Sequence, residues 1–165
     1  MLLVVDANVL IDFARSDPTV LTLVAEHVGT VHVLRDVLDE VDQLDEADCG
    51  RLGLRVVDGT MQQLLDAGAR HGARHGALSF EDWLCLIVAR DAGWTCVPND
   101  GRLRRECGQA GVPTRWGLQL LLDIVAVSAL SVVEATRIAE TISKNNPWIS
   151  ASVIAEFRKK LYAKP

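Results

Sequence analysis

Aliphatic side chains fall in short unbroken runs, separated by longer stretches in which they recur every three or four positions. Residues 2–5, 31–34, 54–57 and 95–97 form the runs, and 112–115 a weaker fifth. Their length and β-branched content predict buried strands. Between them, residues 9–28, 36–48, 60–71 and 80–92 carry helical spacing. Strand–helix alternation of this kind builds a parallel sheet covered on both faces. The expected fold is therefore α/β, a three-layer α/β/α domain over residues 1–123 with a mainly parallel sheet of about five strands.

The pattern changes after residue 123. Ser131 and Glu134 stand at capping-box spacing before a run of helix formers. "NNPWIS" then interrupts the helix, and Val153, Phe157 and Leu161 recur at i, i+4 and i+8. Residues 124–165 thus predict a C-terminal helical hairpin. With Trp148, its apolar surface is too large to leave in water, so packing on the domain or on a partner chain is expected. The small tandem "GARHGARH" places His71 and His75 at i, i+4, but its glycines favour a basic connector over a zinc site.

Composition narrows the classes. A net charge of −5 gives no basic coat for nonspecific nucleic-acid binding, and the four lysines all lie at or after Lys144. Cys49, Cys85, Cys96 and Cys107 show no CxxC spacing and read as buried thiols of a reducing compartment. The apolar start is too short for a signal peptide, and the longest apolar tract is interrupted by Gln119 and Asp123. A cytoplasmic protein without a membrane span is expected.

The candidate chemistry lies in acids at strand ends. "LLVVDANVLIDF" drives four aliphatics into a sheet and stops on Asp6, and "CVPNDGRLRR" ends the fourth strand near Asp100. In open α/β sheets, ligands gather at the carboxyl ends of the strands where strand order reverses, so neighbouring strands would bring these acids into one crevice. Either Asp6 caps the helix that follows, or something positive sits in front of it. Asn-Asp-Gly is equally an ordinary turn.

In "RDVLDEVDQLDEAD", helical geometry puts Val37, Leu38, Val41 and Leu44 on one stripe with Glu40 at its edge, while Asp39 and Asp42 point away. "LSFEDWLCLIVAR" is apolar almost all round, as for a helix packed deep in a domain. Its Ser79 and Asp82 have N-cap spacing, and periodicity does not choose between Glu81 and Asp82.

The order "VVDANVLIDF", "VLDEV", "LSFEDWLCLIVAR", "VPNDGRLRREC" and "GVPT" resembles the PIN domain family, over about residues 1–122. That family contains metal-dependent nucleases, among them the VapC-type toxins of bacterial toxin–antitoxin pairs. The resemblance implies an acidic cluster of Asp6, Glu40, Asp82 and Asp100 and favours Asp82 over Glu81. Asn8 matches the polar residue after the first acid. It also implies Mg²⁺ or Mn²⁺ held by Asp6, Asp82 and Asp100, with Glu40 a further ligand or the residue that orients water. Carboxylates suit such hard cations. An RNA substrate, a homodimer and an antitoxin partner follow from the same resemblance. Arg102, Arg104 and Arg105, just after Asp100, are candidate phosphate contacts, or else a solvated helix face.

Two alternatives remain. Pro98 stands where such sequences usually carry Ser or Thr, which favours a PIN-fold binding module without catalysis. A haloacid-dehalogenase-like phosphatase would also begin with an Asp-ended strand. It calls for a second acid where this chain has Asn8, and for a core lysine where none precedes Lys144.

Overall fold

A computed structural model describes residues 1–73 and 78–163. The chain begins with strand β1 (Leu2–Val5), followed by helices α1 (Ala7–Ser16) and α2 (Thr19–His27). Next come β2 (Thr30–Leu34), the short helices α3 (Arg35–Leu38) and α4 (Glu46–Arg51), β3 (Arg55–Val57), α5 (Met61–Ala73) and α6 (Phe80–Ala92). Strand β4 (Thr95–Val97) precedes α7 (Gly101–Gln109), α8 (Gly117–Ala126), α9 (Val132–Asn145) and α10 (Ala151–Tyr162).

The strands form one parallel sheet in the order β3-β2-β1-β4. Successive strands step outward from β1 to β3, and the chain then crosses back to lay β4 on the other side of β1. Right-handed crossovers put the helices before and after that reversal on opposite faces. Leu3, Val4 and Val5 are all fully buried, so both faces of β1 are covered. Helix α6 packs on β1 and β4 and buries every residue from Trp83 to Ala89, the deep apolar helix its sequence predicts.

The sheet has four strands among the described residues, not five. The segment expected as a fifth is reduced to one bridge, Cys96 with Thr114, flanked by two backbone hydrogen bonds. Pro113 has no N–H to extend that ladder.

Two expected helices are also each divided. Asp17 precedes Pro18, takes an extended conformation and separates α1 from α2. Residues 36–48 do not form one helix: α3 ends at Leu38 and α4 begins at Glu46. Asp45 accepts the Asp48 N–H at 2.7 Å, and Asp48 accepts the Asp45 N–H at 3.0 Å. Those side chains start a new helix there instead of continuing the old one. Val37, Leu38 and Val41 are buried nonetheless, so the apolar pattern was selected by packing rather than by helical periodicity.

Helix α9 packs on α1 and α8, and α10 on α8 and α9. Ala135, Ile138, Ile142, Phe157 and Leu161 are buried in the same continuous core as the sheet. Arg137 pairs with Asp17 at 3.0 Å across that junction. Val153, Phe157 and Leu161 pack against this core, whereas Trp148, between α9 and α10, is 91% exposed. All four cysteines are buried and unpaired. His71 lies on α5, with Nδ1 3.1 Å from the Leu78 carbonyl, whereas His75 falls outside the described residues. No helix among the described residues is long and apolar enough to cross a membrane.

Candidate functional site

Strands β1 and β4 are neighbours, with Val5 opposite Val97, and the Asp6 N–H donates to the Val97 carbonyl at 3.2 Å. The acids after the two strands therefore meet at the carboxyl edge of the sheet, where strand order reverses. Asp6 is 5% exposed. It occupies the N-cap position of α1, yet its side chain makes no capping hydrogen bond, and Oδ2 is buried without a partner. Burial, reinforced by the charge of Asp82, raises its pKa to about 7; the backbone N–H groups of Asn99, Asn8 and Ala7 oppose the rise.

The other acids differ in kind. Asp82 closes a capping box at the start of α6: its N–H donates to Ser79 Oγ at 3.0 Å, and its Oδ2 accepts the Ser79 N–H at 3.1 Å. Burial and the charges of Asp100 and Glu81 nevertheless hold its pKa above the ordinary value. Asp100 caps α7, accepting the Arg102 N–H at 3.0 Å. Capping thus accounts for one oxygen of Asp82 and of Asp100, and for neither oxygen of Asp6. Glu40 lies in the turn after α3 with its side chain largely open to solvent, and partial desolvation together with the charges of Glu81 and Asp82 raises its pKa. Asp82 is the hub of this negative field, which also includes Glu81.

A cleft of about 490 Å³ opens here, lined by Asn8, Asp82, Asn99, Asp100, Gly101, Arg102, Asn146 and Trp148. Arg102 is the only one of the three candidate arginines on this lining. Arg104 and Arg105 are exposed elsewhere on α7, as a solvated helix face requires.

Beside the cleft lies an arrangement that sequence reasoning missed. Asp12, on α1, is 8% exposed. Its Oδ2 accepts the Asn99 Nδ2–H at 2.7 Å, and both of its oxygens accept from Asn146 Nδ2 at 3.0 Å. Asn99 Oδ1 in turn accepts the Gly117 N–H at 3.1 Å. A Cβ at residue 117 would meet that oxygen at 2.7 Å, so the contact demands glycine. Burial raises the Asp12 pKa to about 6 against the stabilising amides. Asn99, one residue after Pro98, thus ties the loop at the end of β4 to α1 and α8 with its side chain. Its backbone N–H favours the Asp6 carboxylate.

Among the described residues, no three His, Cys, Asp or Glu side chains are grouped closely enough to hold a metal ion as they stand. The chemistry of the donors still fits a hard cation: all are carboxylates, and Asp6 Oδ2 is a buried anionic acceptor without a donor. Comparison with models of protein families and with curated proteins finds no match for this chain.

Proposed function

We propose that this protein is a metal-dependent endoribonuclease of the PIN type, acting on single-stranded RNA. The observation that carries the reading is the buried carboxylate of Asp6, one oxygen of which has no partner, at the switch point of a parallel sheet and in the field of Asp82. Desolvating such a group costs several kcal/mol unless a positive charge faces it, and among the described residues no cationic side chain figures in the balance that sets its pKa. Asp6, Asp82 and Asp100 would hold Mg²⁺ or Mn²⁺, with Glu40 a further ligand or the residue orienting water. A divalent cation in that position supplies charge neutralisation, polarisation of the phosphodiester and a more acidic water. Arg102, which lines the cleft, would contact a phosphate of the strand. A role as the toxin of a toxin–antitoxin pair, with a homodimer and an antitoxin partner, extends this reading but is not required by it.

The test is cleavage of a labelled single-stranded RNA with Mg²⁺ or Mn²⁺, with EDTA, and by Asp6→Asn. The expected result is activity that stops with EDTA and falls at least about a hundredfold in Asp6→Asn, the equivalent of roughly 3 kcal/mol of barrier. Undiminished cleavage by Asp6→Asn overturns the assignment. A second reading, a PIN-fold binding module without catalysis, draws on Pro98 and on the absence of a close three-ligand grouping among the described residues. It predicts RNA binding with no cleavage by the wild type in either metal.

A further inference from the structure

Trp148 is the largest exposed apolar side chain among the described residues, and its position is built rather than incidental. The turn that carries it is fastened at both ends. Its own N–H donates to Asn146 Oδ1 at 3.0 Å, and Asn146 is held by both oxygens of the buried Asp12. On the other side, the Ile149 carbonyl accepts from Ser143 Oγ at 2.8 Å, and Ile149 packs against the core. Pro147 and Ser150 beside it are exposed as well. The turn half-buries Ile149 and leaves the Trp148 ring in water. The ring lines the same cleft as Asp82, Asp100 and Arg102.

We propose that Trp148 is a base-stacking platform. It takes the face of one nucleobase of a single strand whose adjoining phosphodiester lies over Asp82 and Asp100. The inference rests on the nuclease reading for the identity of the strand, and on the position of Trp148 for the stacking. A lone exposed aromatic ring in a polar, charged cleft suits a nucleobase, which offers a π face whatever its sequence. A protein partner would need a larger continuous apolar area than one indole offers. Stacking on a face requires an unpaired base, so the platform selects single strands over duplex and reads little sequence.

The experiment uses the full chain and oligouridylate, with Trp148→Ala and Trp148→Phe. Because Trp148 is exposed, both variants are expected to melt with the wild type. Trp148→Ala should raise KM for oligouridylate roughly tenfold or more while kcat stays within about threefold, and Trp148→Phe should recover most of the loss. In an Asp6→Asn background, which binds without cutting, oligouridylate should quench tryptophan fluorescence. An abasic strand of equal length should not, nor should either strand in the Asp6→Asn, Trp148→Ala double variant. An unchanged KM in Trp148→Ala overturns the platform and leaves the nuclease reading intact. An altered oligomeric state in Trp148→Ala with unchanged RNA affinity also overturns it, in favour of a protein contact. Base-dependent quenching without any cleavage by the wild type upholds the platform and removes the nuclease reading.

Discussion

Asn146 donates its side-chain amide to both carboxylate oxygens of Asp12, at 3.0 Å each, across 134 positions of sequence. The bond joins α1, directly after Asp6, to the end of α9, where Asn146 lines the cleft. Removing either side chain leaves the other short of a partner at a largely buried position, which costs about 1–3 kcal/mol. The two losses overlap, so Asp12→Ala and Asn146→Ala should be non-additive, with a coupling of about 1–2 kcal/mol in a double-mutant cycle followed by urea unfolding. Additive effects would mean that the contact carries no stability of its own.

The Asp6 carboxyl has a pKa of about 7 in the folded chain against 3.8 for the ordinary group. The folded state therefore holds a proton that the unfolded state releases, and this contribution to stability is full below pH 4 and lost as pH rises through 7. The metal-free wild type should lose about 2–3 kcal/mol from this group between pH 5 and pH 8. Asp12, raised to about 6, acts in the same direction, and His32, whose pKa burial lowers, acts in the opposite one. Both are present in Asp6→Asn, so the difference between wild type and Asp6→Asn across the two pH values isolates Asp6. Parallel pH profiles for the two proteins would show that Asp6 is not held protonated.

Asp100 can be dissected because asparagine caps a helix about as well as aspartate. Asp100→Asn keeps an acceptor for the Arg102 N–H and removes one charge from the field on Asp82. Its melting temperature without metal should equal or exceed that of the wild type. Asp100→Ala removes the cap as well and should be less stable than Asp100→Asn by about 1 kcal/mol. If Asp100→Asn melts clearly below the wild type, the aspartate charge is structural and does not oppose folding.

The strand ends were legible because a buried aliphatic run stopping on an acid is visible without tertiary information, and Asp6 and Asp100 follow directly. Glu40 was assigned to the cluster by the resemblance, and the helix on whose edge it was placed does not form, since Asp45 and Asp48 cap each other and restart the chain. Its place in the field of Glu81 and Asp82 comes instead from the turn after α3. Asp12 was hidden because a single acid in "LIDF" looks like the polar side of a helix, and its partners Asn99 and Asn146 lie far along the chain. The "DP" at residues 17–18 was a readable helix break, and Pro113 a readable limit on the fifth strand. Trp148, expected to pack on the domain or on a partner chain, does not pack on the domain: it is exposed and lines the cleft.

The central claim is that the charge of Asp6 awaits a cation. Thermal melts at pH 8, where Asp6 is largely ionised, test it independently of any substrate. Mn²⁺ at about a hundred times its dissociation constant should stabilise the wild type by about 2.7 kcal/mol, because the unfolded chain has no assembled site. For a chain of 165 residues that is a rise of roughly 5–10 °C. Asp6→Asn should gain far less. A wild type whose melting temperature ignores millimolar Mn²⁺, or an Asp6→Asn variant that gains as much, would contradict the account.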